Sequence, residues 1–147
     1  MQPIDIAPSG TQPYYINLYV NYSTVKSIAI YTYTSGLWEC CDSRPVSNNL
    51  KRAIQVNLYS GWNRSGFIGL VLFGHIDLSG QYLPNVDANG NISQKWVGRL
   101  GKVVTNEIDP NCYTGAHIHM ECADPGVYYD GSTSMSQGSS IVYKFWF

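Results

Sequence analysis

FIGLVLFGHIDLSG, residues 67 to 80, sets the fold class. Its apolar residues do not alternate with polar ones, and a short apolar run closed by turn residues suits a strand buried on both faces. It falls far short of the roughly 20 apolar residues that span a bilayer. The strand is expected to end at His75. Upstream, KRAIQVNLYSG (51–61) alternates, with Ile54, Val56 and Leu58 on one face and Ala53, Gln55 and Asn57 on the other. GWNRSG (61–66), between the two, is a turn.

The same two-residue period runs through YYINLYVNYS (14–23) and VKSIAIYTYTSG (25–36), where Ile28 and Ile30 alternate with Ala29, Tyr31 and Tyr33. LWECCDSRPVSNN (37–49), QYLPNVDANGNISQ (81–94) and TNEIDPNCYTG (105–115) read as loops, and the Asn-Gly pair at Asn89 suits a tight turn. WVGRLGKVV (96–104) is punctuated by glycines, which fits a strand with a bulge or a close backbone approach. AHIHMEC (116–122) and IVYKFWF (141–147) complete the strands, and a Gly/Ser-rich loop lies between them. No helical period and no internal repeat is visible. The expectation is a single domain over residues 1–147, all-β, of mainly antiparallel sheet.

Composition agrees. The chain has 147 residues, enough to bury a core, with 12 tyrosines that favour strands and 14 glycines and 7 prolines that supply turns. Charged residues make up 13% and the net charge is −1, so the basic footprint of a nucleic-acid binder is missing. No membrane span is expected, and MQPIDIAPSG (1–10) lacks the basic and apolar regions of a signal peptide.

The chemistry concentrates in TGAHIHMEC (114–122), which holds two of the chain's three histidines. On an extended strand His117, His119 and Glu121 share one face, the histidines about 7 Å apart. That spacing suits one metal ligand beside one acid/base group.

This stretch resembles the His-x-His signature of the lysostaphin-like zinc metallopeptidases, which cut peptide cross-links in bacterial cell walls. VLFGHIDLSG resembles the family segment that carries a further histidine, here His75, and VGRLGKV resembles the glycine-spaced strand before the signature. The match covers about residues 66 to 123, and residues 1–50 match poorly. The resemblance implies a sheet or sandwich of the lysostaphin-like type, with His119 as a zinc ligand and His75 and His117 as catalytic histidines beside the metal-bound water. Zinc lowers the pKa of that water to about 7 and polarises the scissile carbonyl, and the histidines would move the proton and stabilise the oxyanion.

The family's remaining ligands come from an upstream His-x-x-x-Asp motif, whereas this chain has no histidine before His75. Asp42, or its neighbours Glu39, Cys40 and Cys41, is the substitute ligand that the sequence offers. GWNRSGFIGLVLFGH also resembles an earlier strand of the family, and in that register His75 is not catalytic. The substrate implied is peptidoglycan or a similar Gly-rich peptide, and the setting implied is a secreted or envelope-facing protein or a phage particle. Two other readings remain open at this point. One is a catalytically inactive member binding wall peptide, glycan or a protein partner, and the other is an unrelated β-sandwich binding module.

Four cysteines permit two disulfides and lean toward an oxidising compartment. Cys112 and Cys122 flank the signature strand, and a bridge between them requires the leading loop to fold back. The aromatics, among them Tyr15, Tyr22, Tyr31, Trp38, Trp62 and Trp96, either line a groove for sugars or peptides or cover a sheet surface.

Overall fold

The computed structural model describes residues 4–6, 15–33, 50–103, 118–123, 128–129 and 140–146. In chain order these form β1 (Ile4–Ile6), β2 (Tyr15–Val20), β3 (Ser27–Tyr33), β4 (Leu50–Tyr59), a 3-10 turn (Trp62–Arg64), β5 (Phe67–Asp77), β6 (Trp96–Val103), β7 (Ile118–Ala123), β8 (Tyr128–Tyr129) and β9 (Ser140–Trp146). The domain is all-β as expected, and its pairings are antiparallel except that of β2 with β9. No helix among the described residues is long and apolar enough to cross a membrane.

Alternation builds the centre. Ile54, Val56 and Leu58 of β4 are fully buried, while Gln55, Asn57 and Tyr59 are only partly so. In the antiparallel register Ile28 and Ile30 of β3 pair with Leu58 and Val56, and Val71 and Phe73 of β5 pair with Val56 and Ile54. Directly paired residues share a face, so three strands present one apolar surface.

β5 then branches. One edge pairs with β4 along most of its length. The other pairs with β7 from Leu70 to Gly74, and then with β6 at Ile76 and Asp77. From β6 the pairings continue through β2 and β9 to β8. Ile16, Leu18 and Val20 of β2 and Val97 and Leu100 of β6 join the same buried cluster as Ile28, Ile54, Leu58 and Phe73. β2 is not bonded to β3 or β4, so these side chains meet across the core and the two branches close over it. Phe73 and Ile76 belong to alternate series of β5 and are both fully buried. The strand therefore crosses from one branch to the other, which accounts for its unbroken apolar sequence.

β6 carries the expected irregularity twice. Its pairing with β2 steps from Gly101 opposite Ile16 to Arg99 opposite Asn17, and from Gly98 opposite Leu18 to Trp96 opposite Tyr19. The extra residues are Leu100 and Val97, and both are fully buried. Each bulge thus returns an apolar side chain to the core from a sequence with a three-residue period. Gly98 has φ 147°, and a Cβ there would collide with the Tyr82 carbonyl oxygen and lie 2.7 Å from Leu83 Cα. That approach lets Tyr82 and Arg99 bridge through their backbones.

Gly98→Ala should destabilise by more than about 1 kcal/mol, because the backbone disfavours an L-residue and the neighbour is main chain. Phe73→Ala should cost about 3–5 kcal/mol through the cavity it leaves. Urea unfolding of both variants checks these values.

Candidate functional site

The two histidine-bearing motifs lie on neighbouring strands. β5 and β7 pair antiparallel, with Leu72 opposite Glu121, Phe73 opposite Met120 and Gly74 opposite His119. His75 follows Gly74 within β5, one register step beyond the pair that contains His119, so it belongs to the alternate series of the strand, with Phe73 rather than with Gly74 and His119. On its other edge β7 pairs with β1, which sets Asp5 directly opposite His119. Three strands therefore bring Asp5, His119 and Gly74 into one row across the sheet. His117 and Asp42 lie outside the described residues, as do Cys40, Cys41 and Cys112; Cys122, in β7, pairs with Val71 of β5.

Asp5 had no local signal. It sits in a three-residue strand, Ile-Asp-Ile, more than a hundred positions before its partner, and only strand pairing connects them. Imidazole and carboxylate are both donors that zinc accepts, so the residue types in this row fit that metal. Among the described residues no three His, Cys, Asp or Glu gather as a metal group, and this row supplies two donors.

A second constellation occupies the loops at the start of β3. The turn between β4 and β5 closes with Ser60 N donating to the Gly66 carbonyl (2.8 Å) and Gly61 N to that of Ser65 (2.9 Å). Inside it, Asn63 and Arg64 both adopt left-handed backbone, at φ 55° and 60°. Asparagine tolerates this conformation, whereas arginine gains nothing from it. The surroundings impose it. Arg64 N donates to Ser27 Oγ (2.8 Å), Ser27 Oγ donates to the Gly61 carbonyl (2.6 Å), and Arg64 Nε donates to the Ile28 carbonyl (3.0 Å). Asn63 N donates to Asn91 Oδ1 (2.7 Å), and Asn91 Nδ2 returns a bond to Asn63 Oδ1 (2.9 Å).

Asn91 is held from the other side. Asp87 Oδ1 accepts from the amides of Asn89 (2.8 Å) and Asn91 (3.0 Å), and Gly90 N closes the turn on the Asp87 carbonyl (3.0 Å). Gly90 takes φ 80°, so the Asn-Gly pair sits in a three-residue loop with a left-handed glycine. Ile28 N donates to the Gly90 carbonyl (2.9 Å), which fastens the loop to β3.

The aromatics among the described residues do not gather in one groove. Trp96 Nε1 donates to Asn17 Oδ1 (2.9 Å), Tyr15 lies under the Arg99 guanidinium at 4.6 Å, and Tyr22 and Trp62 flank the Lys26 ammonium at 4.4 and 5.7 Å. Tyr31 stands apart on β3, half exposed. No protein-family model, curated protein or solved structure gives a significant match to this chain.

Ser27 is fully buried and bonds both loop arms. Ser27→Ala should lower stability by about 1–2 kcal/mol, because it leaves the part-buried Arg64 amide and Gly61 carbonyl without that partner. The Arg64 amide should also exchange with solvent faster, and hydrogen exchange measured beside urea unfolding reads both effects.

Proposed function

We propose that this chain is a lysostaphin-like zinc metallopeptidase domain that hydrolyses peptide cross-links of peptidoglycan, or a similar Gly-rich peptide, outside the cytoplasm or on a phage particle. The observation that carries the reading is the pairing of β5 with β7. It makes neighbours of the GH segment and the His-x-His strand, which lie far apart in sequence. All three histidines of the chain fall in these two segments.

His119 would hold the zinc, with Asp5, its partner in β1, as a carboxylate donor alongside or in place of Asp42. When bound, zinc supplies a Lewis acid and a water acidified to a pKa of about 7. His117 would accept a proton from the nucleophile, pass it to the leaving amine and stabilise negative charge at the carbonyl, whereas His75, on the alternate series of β5, follows the register in which it is not catalytic. One observation favours a second reading. The chain has no histidine upstream of His75, which fits a domain that has kept the cleft for binding wall peptide and lost the hydrolysis.

Metal content separates the two. Tag-free protein should carry about one zinc per chain, as a catalytic site of this type requires. His119→Ala and Asp5→Ala should both lose it while staying folded by circular dichroism. His117→Ala should keep the metal and release cross-link fragments about 10²–10⁴-fold more slowly. Folded wild type that neither holds nor takes up zinc overturns the peptidase reading. Zinc retained by Asp5→Ala but not by His119→Ala returns the ligand role to Asp42 or its neighbours.

A further inference from the structure

Between the 3-10 turn and the loop after β5 lies an open cleft of about 500 Å³. Its walls include Tyr22, Trp62, Asn85, Asp87, Asn91 and Ser93. The volume falls within the roughly 300–1,000 Å³ of small-ligand sites. Trp62 is 51% exposed, at the tip of the turn whose next two residues are left-handed. At Arg64 this costs of order 1–3 kcal/mol, and strain of this kind persists where surrounding bonds over-determine it. Here those bonds come from Ser27, Ile28 and Asn91, so the indole is held out by a rigid turn.

The lining selects the ligand. Lys26 Nζ, fixed by the Tyr22 carbonyl at 2.8 Å, stands over the Tyr22 and Trp62 rings, and Asp87 lines the cleft, so the site carries one charge of each sign and gives no net attraction to a free ion of either sign. The Asp87 carboxylate has Oδ1 committed to the backbone, and its Oδ2 has no partner among the described residues. A purely apolar ligand would desolvate Asp87 Oδ2 and the second amide hydrogens of Asn85 and Asn91, whose first are spent on Trp96 and Asn63, without exchange for water. What remains is a neutral molecule with hydroxyls along its edges and a C–H face that can lie on an indole. We infer that this cleft is a binding site for a neutral saccharide, with Trp62 as the stacking platform and Asp87 and Asn85 as hydrogen-bonding partners. The C–H face is weakly positive and complements the negative face of the ring. The inference does not depend on the histidine strands.

The test is titration of ¹⁵N-labelled protein with the trimer of β-1,4-linked N-acetylglucosamine, with cellotriose and with maltotriose, each taken to about 10 mM. At least one should move the Trp62 indole and the Asn85, Asn91 and Ser93 amides, with half-saturation near about 1 mM. Trp62→Ala should weaken that binding at least tenfold, and Tyr31→Ala, which removes an exposed ring elsewhere, should not. The inference is overturned if no trisaccharide moves these resonances or if Trp62→Ala binds as wild type does. It is equally overturned if pentaglycine or inorganic phosphate moves them and the sugars do not.

Discussion

The architecture depends on how β5 divides one of its edges. A strand has two rows of backbone donors and acceptors, and β4 takes one of them along most of its length. The other row is shared, Leu70 to Gly74 with β7 and Ile76 to Asp77 with β6. Because β6 leaves β5 at its end, the sheet forks there and the second branch can fold back over the first. Phe73 and Ile76 are then buried on opposite series of the same strand. The same division sets the His-x-His strand beside the GH segment, so the core and the candidate metal row follow from one pairing pattern.

Much of this was legible because β pattern is local. The two-residue period of Ile54, Val56 and Leu58 placed the inward face of β4, and both glycines of WVGRLGKV lie beside bulges. The Asn89-Gly90 turn was visible from the dipeptide, although its three-residue form was not. What could not be read was pairing between distant segments. The parallel partnership of β2 with β9 and the arrival of β1 beside β7 leave no trace in either strand's own sequence, since many registers satisfy the same alternation. The candidate site divides along that line. His75 and His119 are named by their motifs, whereas Asp5 acquires meaning only from its partner.

The loop constellation was illegible for a different reason. Left-handed backbone announces itself when glycine or asparagine supplies it, but Arg64 is neither. Its conformation is imposed by Ser27, a residue that in sequence terms is merely the polar start of a strand. Gly90 completes the arrangement through its small size as well as its φ, because a Cβ there would collide with the Ile28 carbonyl oxygen and sit 2.7 Å from Arg64 Nε. Two loops more than twenty residues apart are thereby locked to each other and to the first two residues of β3.

Glycine would suit either left-handed position but would give up the Arg64 bond to Ile28 or the Asn63 bond from Asn91. What the bonds secure is the placement of Trp62, Asn91 and Asp87 relative to one another. A ligand-binding loop that is ordered before its ligand arrives loses less entropy on binding, and weak contacts such as a stacked ring and a few hydrogen bonds then suffice. The two constellations thus differ in construction. The histidine row is assembled by backbone pairing among three strands, whereas the cleft is assembled by side chains that bind main chain. Substitutions at Ser27 or Asn91 should therefore disturb the cleft while leaving the β5–β7 register, and whatever chemistry it supports, in place.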